Sequence, residues 1–179
     1  MKKFILITAV LLSSGEGFAQ KIDTSQTRMS ETISKSENDK QFLKDALEGG
    51  NAEIKKGALA RSKSKNPEII KYGEMMERDH HSVNMKLKEI AHQKGFTISD
   101  DLNSEHLKKY NSLEKMNGEA FDKEFIAQMI ADHKQAISLF KKQIENGKDE
   151  QLKTLAADAL PSLEIHLKEI ERLQERIIK

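Results

Sequence analysis

Apolar residues recur every three to four positions through four long stretches of this chain, and nothing in it alternates at the period of a strand. That property restricts the fold to helices packed on helices, because each apolar stripe must be covered by another element. A first helix is expected over roughly Asn38 to Arg61, with Ser36 and Asp39 at capping-box spacing and Phe42, Ala46, Gly49, Gly57 and Ala60 on its apolar face. The second opens at Asn66-Pro67-Glu68, which supplies a cap, a proline suited to the first helical position and an acid in the first turn. It runs to about Gln93 with Gly95 as its stop, and its inner stripe is Ile69, Tyr72, Met76, Val83, Leu87 and Ile90. The third spans about Glu119 to Glu145, carrying Phe125, Met129, Ala136, Phe140 and Ile144, and Gly147 closes it. The fourth starts near Asp149 and continues to the C-terminus through Leu152, Leu155, Ala159, Leu163, Leu167, Ile170 and Leu173, with Pro161 expected to kink it.

Connection lengths then predict the topology. Only a few residues join the first helix to the second and the third to the fourth, so each pair should form an antiparallel hairpin. The link from Phe96 to Gly118 is long and contains a short amphipathic piece with Leu107, Tyr110 and Leu113. A link of that length can travel the whole bundle and leave the second and third helices parallel. The expected fold class is therefore all-α, an up-down-down-up four-helix bundle with one long crossover carrying a short extra helix, the ferritin-like arrangement.

The ends of the chain read differently. Met1-Lys2-Lys3 is basic, Phe4 to Leu12 is an apolar run of nine residues, and Gly17-Phe18-Ala19 is a cleavage motif of the small-x-small type. Nine residues are far short of the ~20 that a membrane span requires. Residues 1–19 are thus expected to be a signal peptide, residues 20–37, rich in Ser, Thr, Asp and Lys, a flexible tether, and residues 38–179 the bundle. No cysteine stands at the junction to carry a lipid anchor, no later stretch could span a bilayer, and the mature protein is expected in the periplasm or outside the cell. Such a protein has no disulfide framework here, so packing or a metal must hold it. The net charge is +1, and it falls to 0 once Lys2, Lys3 and Glu16 leave with the signal. Acids and bases interleave throughout, so no basic stripe suggests nucleic acid, and nothing sets an oligomeric state.

Four polar residues occupy apolar faces. At 100° per residue Glu53 falls within about 20° of Phe42 and Ala60. His80 lies between Met76 and Leu87, His133 with Met129, Ile137 and Phe140, and His166 beside Leu163 and Ile170. A buried carboxylate costs several kcal/mol unless it is paired or bound to a cation. Their depths also agree. Glu53 and His80 stand 12 and 15 residues from Lys65, and His133 and His166 stand 15 and 18 from Lys148. At ~1.5 Å of rise per residue, each pair differs in height by only ~5 Å. One inward polar side chain per helix at one level is the geometry of a metal site, for which Glu53, His80, His133 and His166 are the expected ligands and Glu77 a further candidate. The alternative is a buried network in which Glu53 pairs with protonated histidines. His81, His92 and His106 fall off the inner faces and are expected on the surface.

A local echo, Met76-x-x-Asp79-His80 and Met129-x-x-Asp132-His133, places a Met and a His on one helix face twice. It admits a copper reading in which Met76 and Met129 contribute, or plain core filling by both. Asp79 and Asp132 could each accept the free ring N–H of a ligand histidine, or serve as surface caps and salt-bridge partners.

At these residues the chain resembles the bacterial family named domain of unknown function 4142. The resemblance covers roughly Asp39 to Arg176 and rests on Gly49-Gly50-Asn51-Ala52-Glu53, Asn66-Pro67-Glu68, both Met-x-x-Asp-His pieces, Phe121-Asp122, Asn146-Gly147-Lys148-Asp149 and Leu160-Pro161-x-Leu163-x-x-His166-Leu167. It implies an exported protein with a ferritin-like fold. Di-iron carboxylate bundles use a Glu from two helices and Glu-x-x-His from the other two. Here Glu53 and Glu77-x-x-His80 fit, but His133 stands where a Glu belongs, and Leu163-x-x-His166 replaces the last motif. One Glu and three His suit a single ion, with Zn or Fe expected first and Mn or Cu open.

The expected function is metal binding by an exported bundle, with the ion structural or stored. The alternatives are a hydrolytic or redox enzyme using the same site, and an envelope interaction protein without metal. No Ser-His-Asp set, nucleophilic Cys or Gly-rich phosphate loop is present, so catalytic residues and substrate stay unassigned.

Overall fold

The computed structural model describes residues 24–177, and the signals predicted for its helix ends largely act as expected. Asn66 caps the second helix by accepting the Glu68 N–H at 2.9 Å, with Pro67 behind it in the first helical position. Gly95 follows the end of that helix at φ +70°, a conformation that costs a side-chain-bearing residue energy. Asp149 accepts the Leu152 N–H at 3.0 Å and so caps the last helix. The resulting elements are α1 (Thr24–Lys63), α2 (Pro67–Gln93), α3 (Ser104–Glu114), α4 (Gly118–Asn146) and α5 (Glu150–Ile177), with no strand among the described residues. Helix α5 continues through Pro161.

The expected signal peptide, 1–19, lies outside the described residues, as does the start of the expected tether, 20–37. Helix α1 begins at Thr24 rather than near Asn38, so the backbone is helical where a tether was expected and the expected capping position Ser36 lies within the helix. The physical reason is an absence of breakers: no Gly or Pro occurs between Thr24 and Glu48. Asp39 takes a different role. Its buried carboxylate accepts Gln143 Nε2 at 2.8 Å, the Lys148 N–H at 3.3 Å and the Asp149 N–H at 3.0 Å. It thereby ties α1 to the α4–α5 turn.

Helices α1 and α2 lie antiparallel, with Gly57 against Gly73 at one level and Gly50 against Asn84 at another. A Cβ on Gly57 would sit 2.5 Å from the Gly73 carbonyl oxygen, so close backbone approach requires glycine there. Helices α4 and α5 are likewise antiparallel, with Lys141 on Glu164 and Lys134 on Glu171. The two hairpins meet through Phe42 and Phe140, packed edge to face at 5.2 Å, and through the Tyr72 hydroxyl, which donates to the His166 carbonyl at 3.2 Å. Helix α3 lies against α1 and α4, held by Asn103 on Glu48 and by Gln128 Nε2 on the Lys109 carbonyl.

The apolar interior is divided in two. One cluster holds Phe42, Leu43, Leu47, Leu87, Phe140 and Leu163 with their neighbours, and the other Leu59, Tyr72, Met76, Phe121, Phe125, Met129 and Ile170 with theirs. On all four long helices the gap falls at the same level: after Leu47, Met76, Met129 and Leu163. That gap is filled by polar side chains.

Candidate metal centre

Six buried polar residues fill the layer: Glu53, Lys56, His80, Asp132, His133 and His166. The three imidazoles form a nearly equilateral triangle, with ring centroids 5.7 Å apart for His80–His133, 5.5 Å for His80–His166 and 5.4 Å for His133–His166. One nitrogen from each lies within 4.8 Å of the other two, so these residues could hold a metal ion. Each of three helices supplies one corner because its apolar stripe carries a histidine at that height.

The hydrogen bonds determine which nitrogens are free. His133 Nδ1 is 2.9 Å from the Met129 carbonyl, which can only accept, so the tautomer that fits has its proton on Nδ1 and its lone pair on Nε2. His166 Nε2 is 3.1 Å from Asp79 Oδ2 and donates to it, leaving Nδ1 as the basic nitrogen. His133 Nε2, His166 Nδ1, His80 Nε2 and Glu53 Oε1 are all buried without a hydrogen-bond partner. Glu53 does come near, with Oε2 3.1 Å from His80 Nε2 and Oε1 3.3 Å from His133 Nδ1, but these approaches lack hydrogen-bond geometry. An orphaned buried polar atom costs about 1–3 kcal/mol, and one orphan on each of the three clustered histidines fits a shared cation, whereas Glu53 borders that cluster without being part of it.

Electrostatics agree with that fit. Burial, reinforced by His133, pushes the His80 imidazole down to about 3, and burial with His80 and His133 pushes His166 down to about 4. Both are neutral donors at physiological pH, which disfavours a network of Glu53 with protonated His80 and His166. Burial raises the Glu53 carboxyl above its ordinary value, although Lys56 and the histidines pull the other way. Burial would also raise Asp79, but hydrogen bonds from Arg78 and His166 outweigh it and hold Asp79 below the ordinary carboxylate range.

The other predicted residues fall in several places. Asp79 meets a histidine ring, but Asp132 does not. Its carboxylate instead takes the Nζ of fully buried Lys56 at 2.6 Å and that of Lys109 at 3.4 Å. Met129 touches His133 through its backbone carbonyl. Met76 packs in the apolar cluster with Ile69 and Tyr72. Glu77 is half-buried beside Gly57 and reaches toward Arg61 at 3.5 Å, outside the histidine cluster. His81 and His92 are exposed as expected, whereas His106 is half-buried, with Nδ1 shielded and unpartnered. Lys56 was missed, yet the sequence carries its signal: it lies one turn from Glu53 and one turn from Ala60, inside the apolar stripe. A cavity of about 1100 Å³ adjoins the layer, and Glu48, Glu53, Asp79, His80, His106 and His166 contribute to its walls.

Fold and site together define an all-helical protein with a buried three-histidine cluster able to hold a metal ion. The chain belongs to the family described as Domain of unknown function (DUF4142), whose model matches residues 24–173. No curated protein matches the sequence. Among solved structures it is similar to a DUF305 fragment from Deinococcus radiodurans, at 13% identity and a TM-score of 0.69, covering 78% of this chain and 96% of that one. It is also similar to CopM in its Cu(I)-bound form, at 20% identity and a TM-score of 0.66, covering 77% of this chain and 96% of that one. The Ag-bound form of CopM matches with 21% identity and a TM-score of 0.63 over the same shares. No described helix is long and apolar enough to cross a membrane.

Proposed function

We propose that this protein is an exported, ferritin-like, up-down-down-up bundle that binds one Cu(I)-like ion through His80, His133 and His166, with Glu53 beside them as counter-charge or fourth ligand. The carrying observation is that the three histidines bring ring nitrogens within 4.8 Å of one another while each keeps a buried nitrogen without a hydrogen-bond partner. The descending register of contacts between α1 and α4, Asp39–Gln143, Phe42–Phe140 and Lys56–Asp132, supports the topology, because α1 then opposes both α2 and α4. The choice of ion rests on donor chemistry. Zn and Fe were expected first, but neutral imidazoles equally suit copper, and a d¹⁰ monovalent ion accepts three of them without demanding a fourth ligand. The Cu(I)- and Ag-bound forms of the structurally similar CopM support the same preference. Asp79 and Met129 act behind the ligands, fixing the rings of His166 and His133. The cavity beside Glu53 and His80 favours a second reading, an enzyme whose substrate reaches the ion from that side.

The test is metal content and affinity of untagged protein, titrated with Cu(I), Zn²⁺ and Fe²⁺ in competition with chelators. One equivalent of Cu(I), bound tightly and lost in His133→Ala, is expected. No stoichiometric metal of any kind, or unchanged binding in folded His133→Ala, would refute the proposal. Stoichiometric Zn²⁺ or Fe²⁺ displacing Cu(I) would overturn the choice of ion.

A further inference from the structure

The buried layer contains a lysine that no metal ligation explains. Lys56 is fully buried, and its Nζ lies 2.6 Å from Asp132 Oδ2. Taking an ammonium and a carboxylate out of water carries a desolvation cost that their attraction rarely more than repays, so such a pair is weak evidence of stabilisation. Its place suggests another use. Lys56 follows Glu53 by one turn of α1, and Asp132 immediately precedes His133 on α4.

The charges around the cluster are matched in pairs except one. Lys56 neutralises Asp132, Lys109 pairs with Glu105 at 2.9 Å while touching Asp132, Arg78 pairs with Asp79 at 2.8 Å, and Arg61 faces Glu77. Glu53 alone meets no lysine or arginine, only the rings of His80 and His133, and an imidazole that lends its lone pair to an ion carries no charge of its own. The layer therefore presents one uncompensated negative charge to whatever ion the histidines bind. A monovalent cation leaves the buried layer neutral. A divalent cation leaves it with an excess charge in a medium that solvates charge poorly.

Resting on the metal-binding reading above, we infer that Lys56 is a specificity-determining residue: by neutralising Asp132 it sets the layer's charge to −1 and so favours a monovalent over a divalent ion. Without the ammonium, Asp132 and Glu53 together would offer two negative charges, the complement of a divalent ion. Lys56 touches no ligand atom in this account and acts through the field it sets. Its effect therefore reads out in the ratio of two affinities more than in either alone.

The experiment measures Cu(I) and Zn²⁺ affinities by chelator competition for the full chain and three variants. In Lys56→Met the Zn²⁺-to-Cu(I) affinity ratio is expected to rise about tenfold or more, since the divalent ion gains twice as much from the unmasked carboxylate. In Lys56→Met/Asp132→Leu the pair becomes apolar, a replacement that buried ion pairs often tolerate, and the ratio should return to within about threefold of the wild type. Asp132→Asn, which leaves the lysine's charge unmatched, should move the ratio toward Cu(I). Should Lys56→Met fail to fold, the double variant and Asp132→Asn still decide the matter. An unmoved ratio in Asp132→Asn, or a double variant shifted as far as the single one, would overturn the assignment. Failure of the wild type to bind either ion would instead refute the metal-binding reading itself.

Discussion

Lowering the pH of the metal-free protein from 7 to 5 should destabilise it by about 2 kcal/mol for each of His80 and His166. In the unfolded chain both imidazoles titrate near 6.5, whereas in the fold burial holds them down to about 3 and about 4. Between those values the unfolded state binds protons that the folded state refuses, so stability falls as pH falls. The contribution is fully present above about 6.5 and is lost progressively toward the folded values. At pH 5 the unfolded imidazole stands 1.5 pH units below its 6.5, and at about 1.36 kcal/mol per unit this gives the ~2 kcal/mol quoted for each ring. The size depends only on the folded values lying well under 5. Glu53 acts with the opposite sign, because its raised carboxyl takes up a proton before the unfolded one does and adds stability as pH falls through that raised value. Comparison with His166→Asn removes most of that contribution, since His166 is the smallest of the influences on Glu53, along with those of the surface histidines. Urea unfolding at pH 7 and pH 5 with a chelator present should show the variant's loss on acidification smaller than the wild type's by about 2 kcal/mol. Equal losses in the two proteins would refute the claim that His166 is held neutral by burial.

Two further outcomes test the frame around the site. Gly57→Ala would place a methyl group 2.5 Å from the Gly73 carbonyl oxygen, where backbone rather than a flexible side chain must yield, and should cost about 1–3 kcal/mol in urea unfolding. Asp39→Ala strands Gln143 Nε2 and the N–H groups of Lys148 and Asp149, and should cost about 1–3 kcal/mol while leaving metal stoichiometry unchanged.

Periodicity made the elements legible, and caps and glycines made their ends legible. Asn66-Pro67 and Gly95 each mark a boundary through a local mechanism that needs no tertiary context. The start of α1 is less legible, because 24–37 lacks an apolar stripe that would mark a helix yet contains no Gly or Pro to break one. The convergence of His80, His133 and His166 was visible from helix face and height together. Their pairing pattern was not, because a helical wheel reports direction but no distance. It therefore assigned Asp79 and Asp132 the same role, although Asp79 meets His166 and Asp132 meets Lys56. Lys56 itself was overlooked because lysine on an apolar face is ordinarily taken to extend its stem toward water. Here it is fully buried, and an acid from another helix, invisible in local sequence, accounts for its place.

The division of the core gives the strongest physical reason to regard the layer as functional. Two apolar clusters already fill the bundle above and below it, so a continuous core could have been had by placing leucines at the same four heights. Instead the layer holds an ion pair, an unpaired carboxylate and three imidazoles with orphaned nitrogens, each of which lowers stability unless something satisfies it. The contacts behind the rings deepen the contrast. The Met129 carbonyl and Asp79 each engage one nitrogen of His133 and of His166, and so fix the rings while leaving the other nitrogen of each unpartnered. Three rings with centroids 5.4–5.7 Å apart, each keeping one buried nitrogen unpartnered, form a cluster that could hold a cation.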